Sequence, residues 1–500
     1  MTGDSLTTVN VKFVQEVTDA RILNLIQHFE NKFREKADYF VRVPGRVNLI
    51  GEHIDYCGYA VLPMALSQDI IVACKTTNDN NIYLSNVDEK YQSYNCRADD
   101  IKISNERPLW YDYVLSGIKG ALDEFSSLKS TKSTTNGHGE SNGGSNGGSN
   151  GDNGVLQNHG AEFQGIKLAF SGTVPPAAGL SSSSALVSAS LLSVAYFLKL
   201  DLNRQKLATL SAISERYVGT LSGGMDQAIA FLGQKGCASY IEFNPLTAQA
   251  VELPNEATFV IAHSLHEANK AANQNYNIRV IECQLASKII AKHQNLSWKE
   301  IQTPKQLQDA LKIDLPQMIT LCDQILTKEI YSREDICELL EISQKSFLEN
   351  LLTPKVRNLL FEFKLRQRAL HVFNEAYRVT KFKEICSSKD DKSKNNLEKL
   401  GQLMKESHDS LKSLYECSHE NLDRIVEIGK SLNVKSRLTG AGWGGCIVAL
   451  CEKGHEKVYI EVLKQEYYLK FRKDQLLGKT IDELVFSTQP QNGAEIFVVD

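Results

Sequence analysis

The segment from Pro175 to Ala185, PPAAGLSSSSA, constrains the possible folds of this chain more than any other. It follows a strand-like run, Gly165 to Phe170, and leads into residues 185–192, which are apolar at helical spacing. A strand, a glycine-containing turn and a helix start direct free backbone N–H groups and the positive end of the helix dipole at one point. Gly179 lets the backbone approach a ligand closely. The segment predicts an anion-binding loop, although alone it also fits a serine-rich cap on an ordinary helix.

The composition excludes several classes of protein. The 500 residues carry 56 Lys plus Arg against 60 Asp plus Glu, a formal net charge of -4, which gives no basic field for nucleic acid. No apolar run reaches membrane-spanning length, and residues 1–10 lack the pattern of a signal peptide. The cysteines number 11, an odd count without a C-x-x-C pair, which argues for reduced thiols and against a zinc site. We expect a cytoplasmic protein with no nucleic-acid or membrane partner, and nothing in the sequence demands more than a monomer.

Helical and strand-like patterns occur in both halves of the chain, which predicts an α+β fold of two domains, 1–254 and 255–500, divided near Pro254. Residues 130–159 are dominated by Asn, Gly, Ser and Thr and cannot bury enough apolar surface to offset the entropy of ordering, so they predict a disordered surface insertion. The principal expected helices are Ala20 to Lys32, Leu109 to Phe125, Asn203 to Tyr217, Ala228 to Leu232 and Asn269 to Gln294. The principal expected strands are Tyr39 to Val43 (ended by Pro44-Gly45), Ala238 to Phe243, Thr258 to His263, Val434 to Leu438, Cys446 to Leu450 and Glu495 to Val499.

A second motif, PGRVNLIGEHIDY at residues 44–56, groups Arg46, Glu52, His53 and Asp55 around two glycines. Polar groups at this density are costly to pack unless they have partners. Carboxylates and an imidazole suit the hydrogen bonding that sugar hydroxyls require. The alternative is a surface loop of ion pairs.

A third motif, residues 219–227, places Asp226 after two glycines at the start of a short helix. There it could act as a base in a cleft or merely cap the helix. The glycines of GAGWGG at residues 440–445 precede a strand-like run and not a helix, so they do not fit a dinucleotide fingerprint. His263 and His266 lack further ligands at suitable spacing, so they predict no metal site.

Together these motifs resemble those of a known enzyme family. Residues 45–56 resemble the galactokinase signature, residues 175–185 resemble the second motif of the GHMP small-molecule kinases, and residues 438–446 resemble their glycine-rich third motif. The motifs occur in the expected order, and the resemblance covers nearly the whole chain. It implies an N-terminal domain like ribosomal protein S5 domain 2 and a ferredoxin-like C-terminal domain with extra helices.

Three further segments indicate which sugar the resemblance implies as the substrate. The segments EHIDYCGYAVLPM at 52–64, SERY at 214–217 and YNIRVIEC at 276–283 resemble the N-acetylgalactosamine kinase branch, whereas galactokinases usually carry Asn after the Asp-Tyr pair. The resemblance therefore favours N-acetylgalactosamine as the substrate, with galactose as the alternative. A non-catalytic sensor of galactose and ATP and a mevalonate-type kinase are less consistent with the intact motifs.

The resemblance implies transfer of a phosphoryl group from Mg-ATP to the anomeric hydroxyl of the sugar. Asp226 would accept or orient the hydroxyl proton, Arg46 beside it would stabilise charge on the transferring group, and both would contact the sugar. The remaining roles implied by the resemblance are sugar binding by Glu52, His53 and Asp55; phosphate binding by Gly179, Ser181, Ser182 and Ser183; Mg²⁺ ligation by Ser183 and Glu215; ATP contact by Asn269 and Lys270; and an adenine wall at Trp110.

Overall fold

The structure is a computed structural model that describes residues 7–14, 19–135, 163–219, 223–267, 274–388, 393–476 and 480–499. The expected ATP-contacting pair Asn269 and Lys270 lies outside the described residues, as does most of the expected insertion at 130–159. Within the described ranges, no helix is both long and apolar enough to cross a membrane.

The described chain contains strands and helices in both halves. The strands are β1 (Asn10–Val14), β2 (Tyr39–Ile50), β3 (Leu62–Thr76), β4 (Asn81–Asn86), β5 (Tyr94–Arg97), β6 (Gly165–Gly172), β7 (Cys237–Glu242), β8 (Thr247–Glu252), β9 (Ala257–His263), β10 (Tyr331–Ser332), β11 (Glu362–Phe363), β12 (Lys435–Thr439), β13 (Cys446–Glu452), β14 (Val485–Thr488) and β15 (Glu495–Val499). The α-helices are α1 (Ala20–Phe33), α2 (Trp110–Thr135), α3 (Ser182–Phe197), α4 (Arg204–Glu215), α5 (Met225–Leu232), α6 (Asn275–His293), α7 (Pro304–Leu311), α8 (Leu315–Ile325), α9 (Arg333–Leu340), α10 (Gln344–Asn350), α11 (Leu365–Ser387), α12 (Ser393–Ser413), α13 (Glu420–Lys430), α14 (Glu456–Leu463) and α15 (Ile481–Leu484).

The largest sheet has seven strands in the order β1-β15-β2-β3-β6-β4-β5. Helices α2 and α3 pack against it, and Val114, Phe170 and Leu191 lie in the shared core. Helix α3 is apolar around most of its circumference and is therefore almost fully buried. Helix α1 contributes Leu25 and Phe29 to a smaller core against β3 and β6. These helices fix the position of the loop before α3.

The second sheet has the order β12-β13-β9-β14 and is antiparallel throughout. Its apolar strands, which include Ile261 and Val448, share one large core with α11. Helices α11 and α12 and strands β12 and β13 also contact β2 of the first sheet. The segment that carries Arg46 to Asp55 therefore lies against elements of both halves.

The C-terminal strand departs from the expected domain division. The prediction assigned residues 255–500 to the second domain, but β15 pairs with β2, with Glu495 opposite Arg42, and also with β1. The apolar Ile496 of β15 completes the core of the first sheet. The division near Pro254 stays a prediction for the preceding residues.

Strand β2 does not end where its sequence predicts. Pro44 and Gly45 were expected to break the strand, but β2 continues to Ile50, with a register shift between Pro44 and Arg46. A bulge accommodates a proline that has no N–H to donate. As a result, Arg46 lies on a strand and not in the turn-rich loop that the sequence predicts.

Two helices also differ at their ends. Helix α2 runs to Thr135, so residues 130–135 of the expected insertion are helical and not disordered. Helix α4 ends at Glu215, whereas the sequence predicts an end at Tyr217, and the predicted start of α6 at Asn269 lies outside the described residues. The pattern of apolar residues defines helix interiors better than helix ends.

Candidate active site

A cavity of about 580 Å³ lies where the first sheet, its helices and the β12–β13 loop meet. The backbone from Pro176 to Ser183 forms one wall, and Gly442, Gly444 and Gly445 contribute to another. The expected site residues in its lining are Arg46, Trp110, Gly179, Ser181, Ser182, Ser183, Glu215 and Asp226. The structure therefore brings the expected catalytic pair into one cavity with those expected nucleotide-binding residues that it describes.

Arg46 and Asp226 form a buried ion pair in this cavity. Nε and Nη2 of Arg46 each lie 2.7 Å from Oδ1 of Asp226, and Nη1 donates to the carbonyl oxygen of Gly179 at 2.6 Å. Arg46 is 4% exposed and Asp226 is 7% exposed. Burial opposes the charge on Arg46, but the carboxylates of Asp226, Glu52 and Asp55 outweigh it and raise the pKa of the guanidinium. Arg46 is therefore a fixed cation that orients Asp226.

A second carboxylate lies beside Asp226. Glu215, at the end of α4, accepts hydrogen bonds from the amide of Gln227 and from the hydroxyl of Ser184, the latter at 2.9 Å. The Ser184 hydroxyl also lies 3.4 Å from Oδ2 of Asp226. Ser183, which is predicted to bind Mg²⁺ together with Glu215, lines the same cavity, and its neighbour Ser184 makes the direct contact with Glu215. The sequence analysis missed this role of Ser184, although the residue lies within the motif.

The loop before α3 is packed against the β12–β13 loop by direct backbone contact. Gly179 has a φ of 73°, and a Cβ there would lie 2.6 Å from the carbonyl oxygen of Thr439. A Cβ on Gly440 would in turn lie 2.5 Å from the carbonyl oxygen of Gly179. Ser181 adopts a φ of 62° where α3 begins, and its Oγ has no partner among the described residues. The N-terminus of α3 is thus held at the cavity wall, as an anion-binding helix start requires.

Trp110, the residue predicted to form an adenine wall, is held in place by two contacts. It lines the cavity, its indole N–H donates to the carbonyl oxygen of Gln92 at 3.0 Å, and its ring meets Phe170 edge-on at 5.6 Å. The indole is therefore held in one orientation, so its ring presents a fixed aromatic surface to the cavity.

The three residues expected to bind only the sugar, Glu52, His53 and Asp55, are not in the described lining of this cavity. Glu52 is 2% exposed and pairs with Arg437 at 2.8 Å; burial raises the pKa of Glu52, against the opposing effect of Arg437 and Arg46. His53 contacts the hydroxyl of Tyr56 at 2.9 Å and the carbonyl oxygen of Ala441 at 3.0 Å. The side chains of Glu52 and His53 therefore each contact other groups of the protein.

Asp55 lies close to the backbone that carries Asp226. It lines a neighbouring cavity of about 510 Å³ and accepts a long hydrogen bond, 3.5 Å, from the backbone N–H of Met225, the residue before Asp226. Burial raises the pKa of Tyr276 well above its ordinary range, with further contributions from Asp55, Asp226 and Glu215. Tyr276 is predicted only as part of the segment YNIRVIEC, with no role in the site, although these carboxylates contribute to the raised pKa of its phenol.

Helix α11 holds the backbone of the signature motif. Glu375 accepts the backbone N–H of Gly51 at 2.8 Å and of Glu52 at 3.3 Å, and a ring nitrogen of His371 lies 3.1 Å from the carbonyl oxygen of Glu52. Burial opposes the charge on Glu375, but Arg378 and other cationic groups outweigh it and lower the pKa to about 2. The sequence carries no local signal for these contacts.

Among the described residues, few side chains could act as ligands of a magnesium ion. The residues that the structure describes contain no cluster of three or more His, Cys, Asp or Glu able to hold a metal ion. Glu215 and the serine hydroxyls of the loop nevertheless offer oxygen atoms at the cavity wall. Magnesium is commonly bound through one or two carboxylates together with nucleotide phosphates, so this set of donors fits it.

Comparison with known proteins gives matches along most of the chain. The galactokinase galactose-binding signature matches residues 27–76, the GHMP kinases N terminal domain matches 153–234, and the GHMP kinases C terminal model matches 383–469. Galactokinase from Dictyostelium discoideum is 38% identical over 485 residues, which cover 92% of this chain and 90% of that protein. Galactokinase from Saccharomyces cerevisiae is 31% identical over 528 residues, which cover 95% and 94% respectively. The solved structure of Lactococcus lactis galactokinase complexed with galactose matches with a TM-score of 0.64 at 22% identity, over 95% of this chain and 99% of that chain.

Proposed function

Because the chain belongs to the galactokinase family of GHMP kinases, we propose that it transfers the γ-phosphoryl group of ATP to the anomeric hydroxyl of galactose. The products are galactose 1-phosphate and ADP. The observation that carries this proposal is the buried Arg46–Asp226 pair in a cavity that also contains the helix start at Ser182. The names of the relatives favour galactose, which the sequence analysis held as the alternative, and do not support its preference for N-acetylgalactosamine.

In this reaction the sugar hydroxyl attacks the γ-phosphorus, and the bond to the bridging oxygen of ADP breaks. Asp226 accepts the hydroxyl proton, for which its Oδ2 is better placed because Oδ1 is bound by Arg46. Arg46 remains protonated and stabilises the charge that develops on the transferring group. Since both side chains are fixed by other contacts, little reorganisation is needed during the reaction.

The nucleotide occupies the 580 Å³ cavity. The backbone N–H groups at the start of α3 bind its phosphates, and Trp110 packs against the base. A bound Mg²⁺ ion neutralises phosphate charge, and Glu215 and Ser183 are the residues that would hold it. The narrow contact between Gly179 and Gly440 keeps the phosphate loop close to the second half of the chain.

The sugar lies on the side of Asp226 away from the nucleotide phosphates. Asp55 is close to Asp226 through the Met225 backbone contact, and the phenol of Tyr276 is near both carboxylates. Glu52 acts mainly through its ion pair with Arg437, which fixes the backbone of the motif and leaves fewer acceptor sites for sugar hydroxyls.

The proposal is tested by measuring ADP release with Mg-ATP and, separately, galactose, N-acetylgalactosamine and mevalonate. We expect the highest kcat/KM with galactose and no release above background with mevalonate. Efficient turnover only with N-acetylgalactosamine would replace the proposed substrate and leave the mechanism intact. Binding of galactose measured by calorimetry, without ADP release from any sugar, would contradict the kinase activity and indicate a sensor.

A further inference from the structure

One serine of α3 forms contacts that set it apart from the other serines of the same helix. A buried serine inside a helix usually donates its hydroxyl proton to the carbonyl oxygen four residues earlier. Ser190 follows this rule with Leu186, and Ser193 follows it with Ala189, at 2.7 and 2.8 Å. Ser184 lies in the first turn of α3, where the residue four positions earlier, Leu180, precedes the helix and accepts from the backbone N–H of Arg46, and its hydroxyl reaches across to residues of two other helices.

Those residues are the two carboxylates of the site. The Ser184 hydroxyl lies 2.9 Å from Oε2 of Glu215 and 3.4 Å from Oδ2 of Asp226, and Ser184 is 1% exposed. The amide of Gln227 donates to the same oxygen of Glu215, so both donors hold that carboxylate in one orientation. A hydroxyl has one proton to donate, and the distances assign it to Glu215 in this structure.

Two carboxylates that share a buried site repel each other. By donating to Glu215, the Ser184 hydroxyl disperses part of the charge on that carboxylate and so offsets part of this repulsion, while the same hydroxyl oxygen lies against Oδ2 of Asp226. On the proposed function, one of these carboxylates holds the cation that accompanies the nucleotide and the other receives the sugar proton. Their separation therefore determines whether both tasks are performed in the same bound geometry.

We infer that Ser184 is a positioning residue that couples Glu215, the magnesium-side carboxylate, to Asp226, the proton acceptor. This inference rests on the proposed phosphoryl transfer and deepens it. The inferred role requires the hydroxyl of Ser184 and not its volume. Alanine fits the same buried position but would leave Glu215 with only one of these two donors, the amide of Gln227. Ser184 acts through these two carboxylates and is assigned no contact with the substrate.

The test compares Ser184→Ala with Ser188→Ala. Ser188 is one helical turn away, is 0% exposed, and its Oγ has no hydrogen-bond partner among the described residues. Both variants remove one buried hydroxyl from the same helix, but only Ser184→Ala removes a contact with the carboxylates. Calorimetric titration with ADP, with and without Mg²⁺, gives a measure of cation binding that does not depend on turnover.

For Ser184→Ala we expect the Mg²⁺-dependent gain in ADP affinity to fall at least threefold and kcat to fall about tenfold, because a hydrogen bond to a charged group is lost. The KM for galactose should stay within twofold of the wild type. Ser188→Ala should match the wild type in all three quantities. Equal Mg²⁺ dependence and equal kcat in the two variants would overturn the inference.

Failure of the proposed kinase activity can be distinguished from failure of the inference about Ser184. If the wild type phosphorylates no sugar, the activity proposal fails, while the ADP titrations still decide whether Ser184 supports cation binding at Glu215. If Ser184→Ala does not fold, Ser184→Cys takes its place, since a thiol keeps the volume but is a weak donor. For Ser184→Cys we then expect the same loss of the Mg²⁺-dependent gain in ADP affinity, and an unchanged gain would contradict the inference.

Discussion

The tight contact between the two glycine loops predicts the effect of substituting Gly179 with alanine. Its φ of 73° lies in the left-handed region, where a side chain costs about 1–2 kcal/mol. The added Cβ would also lie 2.6 Å from the carbonyl oxygen of Thr439, well inside normal carbon–oxygen contact. Because that oxygen belongs to the backbone, the two loops must separate, at a further cost of roughly 1–3 kcal/mol.

Gly236→Ala is the matched control. Gly236 has a φ of 83°, but a Cβ there would have nothing within 4 Å, so this variant carries only the backbone cost. We expect Gly179→Ala to lower the thermal midpoint more than Gly236→Ala and to raise the KM for ATP about tenfold, since a tenfold change corresponds to about 1.4 kcal/mol. Thermal unfolding and steady-state kinetics measure both effects. Equal midpoints and equal KM values for the two variants would refute the argument.

Three further results are expected. Burial lowers the pKa of His371 from 6.5 to about 4, and cationic neighbours lower that of Glu375 from 4.5 to about 2 despite its burial. Both pKa values are lower in the folded state than in the unfolded chain, so the free energy of unfolding decreases as the pH falls. The loss is roughly 3 kcal/mol for each group, between pH 6.5 and 4 for His371 and between pH 4.5 and 2 for Glu375. A thermal midpoint that does not fall between pH 7 and 4.5 would contradict this. Trp110→Ala should raise the KM for ATP about tenfold and leave that for galactose within twofold, because a base loses its stacking partner; equal changes in both would argue against an adenine wall. Gly223→Ala should raise the KM for galactose more than that for ATP, because the new Cβ would lie 2.5 Å from Cγ of Asp55; the reverse order in kinetic assays would be inconsistent with sugar binding there.

Local sequence patterns predicted much of the fold and the nucleotide side of the site. The α+β, two-domain GHMP kinase fold is confirmed by the match to Lactococcus lactis galactokinase and by the N- and C-terminal family models. The helix start at Ser182 and the position of Asp226 at the start of α5 follow from glycines and apolar spacing within a few residues. Such signals are short-range, so a single sequence carries them.

The contacts around the signature motif could not be predicted because they join distant parts of the chain. Glu52 and Arg437 are 385 positions apart, and Glu375 is an isolated acidic residue within an otherwise ordinary helix. These groups matter structurally because they are buried, and burial depends on the tertiary fold. The residues expected to bind only sugar are therefore also structural, which the sequence motif alone does not reveal.

The preference for N-acetylgalactosamine depended partly on Cys57, which replaces the Asn usual after the Asp-Tyr pair. In the structure Cys57 is 1% exposed, and its thiol points to the carbonyl oxygen of His53. It lines neither of the two cavities beside Asp226, so its identity carries little information on the sugar that is bound. The monomeric state and the cytoplasmic location stay predictions.

The central claim is that Asp226, fixed by Arg46, receives the proton of the anomeric hydroxyl. The most direct test is the single-turnover rate of galactose 1-phosphate formation by Asp226→Asn, followed by ³¹P NMR, alongside galactose binding measured by calorimetry. Asp323→Asn is the control, because Asp323 pairs with Arg366 at the same 2.7 Å distance on the surface. We expect Asp226→Asn to bind galactose and to form product about 10²–10⁴-fold more slowly, with Asp323→Asn unchanged. Product formation by Asp226→Asn within twofold of the wild type, or phosphate on a different hydroxyl, would contradict the account.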